Sequence, residues 1–246
     1  MNLKGNTVVI TGGSSGIGFE LAKVLTENEN QVIICGRSLK KLDKARELVP
    51  SLQIFQCDLS KSPERKRFTN WIEENYPQCN ILINNAAVVH VLNFFSAPDI
   101  LSKGELEIQT NYLAPVELTK LFFPLLNHKE KQSKIIFITT GLVYVPNVIY
   151  PFYCSAKAAL HSFVQILRSH IKDYPIDICE VLMPPVDTPF HQGNPPKRAI
   201  TPRKAVDEML NKLEKGEKEI KVGITKLLYL ISRISPSFAF KIVNTM

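Results

Sequence analysis

The sequence predicts an α/β fold, a doubly wound parallel sheet of about seven strands with helices on both faces. Two observations carry this. Short β-branched apolar runs recur along the chain, and the segments between them are long enough for crossover helices. Parallel strands covered on both faces read as continuous apolar runs rather than alternating ones, and strands separated by helical periods indicate βαβ units.

The strands are read at 8–10 (VVI), 31–35 (QVIIC), 53–56 (QIFQ), 81–83 (ILI), 134–139 (KIIFIT), 177–183 (DICEVLM) and 219–222. Helices are expected at 19–26, 38–48, 63–75 and 153–172, and a further long helical stretch at 108–126. Ser62 before Pro63 and Thr201 before Pro202 are helix starts, because a proline in the first turn gives up an N–H that has no partner there. No repeat, low-complexity segment or flexible linker divides the 246 residues, so a single domain over 1–246 is expected.

Composition narrows the class. The chain is 45% hydrophobic and 22% charged, which excludes disordered and collagen-like chains. Cys35, Cys57, Cys79, Cys154 and Cys179 are odd in number, dispersed and never in a C-x-x-C pair; reduced packed thiols are expected rather than a disulfide framework. His90, His128, His161, His170 and His191 show no ligand spacing, so no metal is expected. No run of 18 uncharged apolar residues and no signal-peptide core occur, and the chain reads as cytoplasmic. Thirty Lys and Arg outnumber 23 Asp and Glu, but 11 of the cations and only 5 of the acids fall in 197–246. The core before that is nearly neutral, which argues against nucleic-acid binding by the fold as a whole.

Thr11 to Gly18 reads TGGSSGIG directly after the first strand and opens a helix. Gly12, Gly16 and Gly18 remove side chains where the backbone turns and approaches a pyrophosphate. With Ser14, Ser15 and Ile17 they form a phosphate loop whose helix points its free N–H groups at the anion. This is the dinucleotide site of a Rossmann-type sheet. At the end of the second strand, where an NAD site places Asp or Glu, the chain has Cys35-Gly36-Arg37-Ser38. Arg37 offers a planar fork of donors to a 2′-phosphate. NADP(H) is therefore expected, in preference to NAD(H).

Tyr153 and Lys157 stand at i and i+4, on one helical face. A free tyrosine titrates near about 10, and lowering that by about 3 units takes roughly 4 kcal/mol of phenolate stabilisation. A neighbouring ammonium is the right perturbation, helped by an oxidised, positively charged nicotinamide.

Together with Asp58 after the third strand, Asn84-Asn85-Ala86 after the fourth, Asn111 and Thr140, these motifs make the chain resemble the short-chain dehydrogenase/reductase family over essentially its full length. A closer likeness, to DltE-type oxidoreductases of Gram-positive bacteria, lies in CGRS (35–38), YPFYCSAKAALHSF (150–163) and PPVDT (184–188). The resemblance implies that Tyr153 exchanges a proton with a carbonyl or alcohol substrate while hydride moves to or from the nicotinamide. It implies that Lys157 holds the nicotinamide ribose and lowers the Tyr153 pKa, that Asn111 supports a relay water, and that Thr140 bonds the substrate oxygen. Asp58 and Leu59 would meet the adenine, Asn85 and Ala86 the adenosine ribose, and Val186 and Thr188 the carboxamide. A homodimer or homotetramer is implied as well.

Three positions depart from the family pattern. Thr140 stands for Ser, Ala87 for Gly, and Met183-Pro184 for Pro-Gly. The threonine methyl restricts the rotamer and narrows the site. The segment at about 184–202 falls where the family places a substrate lid. The basic apolar tail at about 220–246 puts Ile224, Leu227, Leu228, Ile231 and Ile234 on one stripe, with Lys221, Lys226, Arg233 and Lys241 and no acid after Ile220. It is read as packing on the pocket or a second subunit, the alternative being peripheral contact with the inner membrane surface. Three functions follow: an NADP(H)-dependent oxidoreductase, a catalytically weak NADP(H)-binding regulator or scaffold, or a membrane-surface reductase of lipid-like carbonyls.

Overall fold

A computed structural model describes residues 3–127, 132–191, 193 and 195–245. His128, and Gln192 and Asn194 of the expected lid, lie outside the described residues.

Seven parallel strands form one sheet: β1 (Thr7–Thr11), β2 (Gln31–Gly36), β3 (Gln53–Gln56), β4 (Ile81–Asn84), β5 (Ser133–Thr140), β6 (Ile176–Met183) and β7 (Glu219–Lys221). Their order is β3-β2-β1-β4-β5-β6-β7. The strands match the sequence reading to within one residue at each end. The continuous apolar runs are used on both faces: Val8 and Ile10 of β1 face one core, Val9 the other.

Helices α1 (Gly16–Glu27), α2 (Leu39–Leu48) and α7 (Pro202–Glu214) contribute to the first core, with Leu21, Leu42 and Met209 fully buried. Helices α3 (Ser62–Asn75), α5 (Ala114–Leu126) and α6 (Pro151–His170) contribute to the second, with Phe68, Phe122 and Leu160. Burying a phenylalanine contributes about 1.5–3 kcal/mol, and Phe68 and Phe122 also meet with ring centroids 6.2 Å apart.

The single helix expected at 108–126 is broken. Helix α4 (Ile100–Ile108) runs into a π turn, Gln109–Leu113, before α5. There the Ala114 N–H reaches back five residues to the Gln109 carbonyl. Pro115 follows and has no N–H to give the carbonyl of Asn111.

The tail forms α8 (Thr225–Ile234) and α9 (Pro236–Asn244), parted at Pro236. The expected stripe does not pack as one face. Leu228 and Ile231 are half-buried, whereas Ile224, Leu227, Leu230 and Ile234 are exposed. The physical reason is that TKLLYLISRI is apolar on most sides, so Tyr229 takes the inward contact, its ring 4.9 Å from that of Tyr144. Among the described residues no helix is long and apolar enough to cross a membrane, and no cluster of three His, Cys, Asp or Glu could hold a metal.

Candidate active site

The sheet order reverses between β1 and β4, where β2 continues to one side and β5 to the other. In doubly wound sheets this opens a crevice at the carboxyl ends of the strands. Thr11 closes its floor. The Thr11 hydroxyl accepts from the amides of Asn85 (2.9 Å) and Ala86 (3.0 Å) and donates to the Ile83 carbonyl (3.3 Å). The Asn85 side chain donates back to the carbonyls of Thr11 (2.9 Å) and Gly12 (3.3 Å). The ends of β1 and β4 are thus laced together, and Thr11 was not among the residues singled out from the sequence.

The glycine loop needs its glycines. Gly12 and Gly16 have φ of +66° and +57°, a region L side chains avoid. A Cβ on Gly12 would lie 2.8 Å from the Ala86 Cα, and one on Gly18 2.4 Å from the Gly12 carbonyl oxygen. Ser15 is the N-cap of α1 but its side chain makes no capping bond, so the first-turn N–H groups are left to another acceptor. Ser14 sits beside Gly36, and Ile17 packs on the core. These features fit a pyrophosphate at the start of α1.

At the tip of β2, Arg37 is exposed and no carboxylate pairs with it among the described residues, although its charge acts on Asp58. Ser38 caps α2, its Oγ accepting from the Lys41 amide at 3.3 Å. Partial burial raises the Asp58 pKa, but the Ser60 hydroxyl (2.8 Å) and amide (3.1 Å), then Lys61 and Arg37, hold it below the usual carboxylate range. Leu59 is buried, and its carbonyl accepts from Arg65, which pairs with Glu117 at 2.6 Å. Both polar atoms of the buried Asn84 side chain lack a hydrogen-bond partner among the described residues, in a pocket also lined by Thr11, Leu59, Thr110 and Lys157.

Tyr153 and Lys157 lie buried in the first two turns of α6, and Thr140 ends β5. Thr140 Oγ1 accepts from the Leu142 amide at 3.2 Å on the side of β5 that faces Tyr153, and the rings of Phe190 and Tyr150 stand 5.5 and 6.2 Å from that of Tyr153. Burial pushes the phenol well above its ordinary range, with the nearby Cys154 adding to it and Thr140 pulling against it. Desolvation dominates, and the Lys157 ammonium is turned to the Ile138 carbonyl at 2.8 Å. Burial lowers Lys157 itself to about 8.

Asn111 is fully buried on the π turn. Its side chain is committed to the backbone of Val88, accepting from the amide at 2.8 Å and donating to the carbonyl at 2.7 Å. Pro115 has no N–H to offer the Asn111 main-chain carbonyl. Cys154 is a packed thiol whose sulfur meets the Asn147 amide at 3.4 Å, and all five cysteines are free and buried.

Residues 184–202 are pinned at their base. Val186 bridges Ile200, the Asp187 amide donates to the Ile200 carbonyl (2.9 Å), and the Ile200 amide to the Pro185 carbonyl (3.1 Å). From that base Thr188 reaches Gly16, where a glycine Cβ would lie 3.2 Å from the Thr188 Cβ, and Phe190 covers Tyr153. The turn therefore spans from the glycine loop to the tyrosine.

The profile of the short chain dehydrogenase family matches residues 6–199. The chain is 40% identical over 225 residues, 89% of each chain, to an uncharacterized oxidoreductase, DltE, of Bacillus subtilis (strain 168). It is 28% identical to a 3-ketodihydrosphingosine reductase of Dictyostelium discoideum, covering 99% of this chain and 83% of that one. A short chain dehydrogenase from Burkholderia cenocepacia J2315, solved in complex with NADP, superposes with a TM-score of 0.86 at 22% identity, covering 99% of both chains. A second, from Burkholderia phymatum and in complex with NAD, gives 0.83 at 12% identity over 95% of this chain and 96% of that one.

Proposed function

We propose that this chain, which belongs to the short chain dehydrogenase family, is an oxidoreductase that prefers NADP(H) and interconverts a carbonyl and an alcohol, with Tyr153 as acid and base. The observation that carries this is the turn at 184–202, which touches Gly16 of the uncapped glycine loop and Tyr153 of the Tyr–Thr–Lys group within a few residues. A dinucleotide laid from one to the other would bring its reactive end to the phenol. When bound, it supplies or accepts hydride and, oxidised, carries a positive charge.

The rest falls to the protein. The first turn of α1 holds the pyrophosphate, and Arg37 grips a 2′-phosphate while Asp58 and Leu59 border the adenine. Lys157 bonds the ribose and, with Thr140, favours the phenolate over the phenol. Thr140 and Tyr153 both hydrogen-bond the substrate oxygen, Tyr153 giving its proton in reduction and taking it in oxidation. Phe190, on a lid formed by 184–202, excludes water from that exchange. Val186 and Thr188 fix the carboxamide, and the Asn111 carbonyl holds the water that returns the proton.

NADPH consumption with a panel of ketones, aldehydes and quinones tests this. Turnover should vanish in Tyr153→Phe with NADPH binding kept. Firm binding without turnover on any substrate would favour the cofactor-binding regulator. Arg37→Ala should weaken NADPH far more than NADH, and equal losses would refute the phosphate clamp.

A second observation favours a particular place of work. Leu227, Leu230 and Ile234 lie exposed on α8 beside Lys226 and Arg233, with Phe238, Phe240 and Lys241 exposed on α9. Val148 and Ile149 continue the patch, since the Val148 amide donates to Asn244 Oδ1 at 2.8 Å. An apolar face with basic flanks and no acid suits an anionic bilayer surface, and a lipid-like carbonyl would then reach the site from that side. Flotation with phosphatidylglycerol vesicles should carry the full chain and not Leu227→Ser/Ile234→Ser. Absence of lipid binding by the full chain sinks this reading.

A further inference from the structure

Tyr153 and Lys157 continue along α6 to His161 and Gln165, each one turn further on the same face. The His161 Nδ1 lies 2.9 Å from both carboxylate oxygens of Glu180. Glu180 stands in the middle of β6, completely buried, between Phe137 of β5 and Glu219 of β7. Its Oε1 also accepts from the Thr139 hydroxyl at 2.7 Å. A carboxylate withdrawn this far from water is costly unless paired and hydrogen-bonded.

The backbone brings it to the tyrosine–lysine face. Lys157 is anchored on the carbonyl of Ile138, and Glu180 on the hydroxyl of the next residue, Thr139. Lys157 and His161 are one helical turn apart on the same face, so the ammonium and the carboxylate that His161 holds meet β5 at adjacent residues. Glu180 is also the group that raises the Lys157 pKa against the lowering by burial. Around the pair stand Tyr144, its ring 5.7 Å from His161 and its hydroxyl 3.3 Å from Glu219 Oε1, and Glu219, which pairs with Lys221 and Arg168. On the solvent side Gln165 Nε2 is 3.1 Å from His161 Nε2.

We propose that Glu180, locked by His161 and Thr139, is a positioning residue whose buried negative charge keeps Lys157 an ammonium beneath Tyr153. The inference rests on the Tyr153–Lys157 chemistry proposed above, and its test has a readout that does not need turnover. Without Glu180 the ammonium loses its counter-charge, and its deprotonation moves to lower pH. Opposite charges at this range shift a pKa by about 1–3 units.

The experiment compares the full chain with Glu180→Gln, which keeps the shape and removes the charge, and Glu180→Asp, which keeps the charge. Nitrogen-15 lysine labelling, with Lys157→Met for assignment, reports the titration of Lys157 directly. In Glu180→Gln the midpoint should fall by about one unit or more, and Glu180→Asp should restore most of it. If turnover is found, the alkaline limb of kcat should move down by the same amount. An unchanged Lys157 midpoint in folded Glu180→Gln overturns the inference. If that variant does not fold, His161→Ala, which frees Glu180 from its lock at a partly exposed position, should lower the midpoint by a smaller step, and no change there overturns it equally. A shifted midpoint in a chain that reduces no carbonyl would sink the proposed reaction and leave the charge pairing standing.

Discussion

Thr11→Val is the sharpest test of how the crevice is held open. Valine matches threonine in shape, so the packing around this residue, 1% exposed, is kept while three hydrogen bonds go. The amides of Asn85 and Ala86 lose their acceptor and the Ile83 carbonyl loses its donor. An unsatisfied buried polar group costs about 1–3 kcal/mol. Asn85 and Ala86 are only half-buried, so each falls towards the lower end and the sum is about 2–4 kcal/mol. For a chain of this size that lowers Tm by about 5–15 °C. Urea unfolding followed by circular dichroism measures the first figure and calorimetry the second. Thr11→Ser, which keeps the hydroxyl, should lose much less. A valine variant within about 0.5 kcal/mol of the parent, or a serine variant as unstable as the valine, would refute the lacing.

Three further outcomes are expected. Gly16→Ala meets both the left-handed backbone and Thr188, and should cost about 1–2 kcal/mol together with most of the NADPH binding seen by fluorescence; unchanged affinity would contradict the cradle. Arg65→Met breaks the pair with Glu117, whose carboxyl partial burial would raise but Ser62, Arg65 and Lys66 hold below its ordinary value. That stabilisation is complete above about pH 4.3 and is lost as pH falls through the lower folded value, so the stability gap between parent and variant should narrow in acid to what the lost Leu59 hydrogen bond and packing leave; a gap of the same size at neutral and low pH refutes the ion-pair account. Phe190→Ala uncovers Tyr153, and because burial is the main reason its phenol is raised, the titration seen by ultraviolet difference spectra should move back towards about 10.

The strands were legible because burial on both faces leaves no polar residue in VVI, ILI or KIIFIT except at the ends. The glycine loop and the Tyr153–Lys157 spacing were legible because each is a local geometric requirement. The break at Gln109–Leu113 was hidden by an apolar period that runs on undisturbed through 108–126. Its only written sign is Pro115, whose missing N–H acts on a residue four positions earlier. Glu180 was hidden for a different reason. In DICEVLM it reads as one polar residue in a strand, and its partners Thr139 and His161 lie 41 and 19 residues away. Thr11 looked like the first letter of a glycine motif, while its bonds are to residues more than 70 positions on. In the tail, apolar residues on most sides of α8 left the inward face to tertiary packing.

The bridge between Val186 and Ile200 ties both ends of the covering turn to the scaffold before the turn begins. Whatever lies between those ends is a closed loop, and lengthening a flexible loop twofold costs only about 0.6 kcal/mol of closure entropy. Beyond Thr188 and Phe190, which touch the glycine loop and Tyr153, residues up to the second tie point can therefore be exchanged, inserted or removed while the sheet stays as it is. On the lid reading proposed above, selection for a new substrate would act on the stretch after Phe190, which is tied to the sheet at its end and leaves the Thr188 and Phe190 contacts in place.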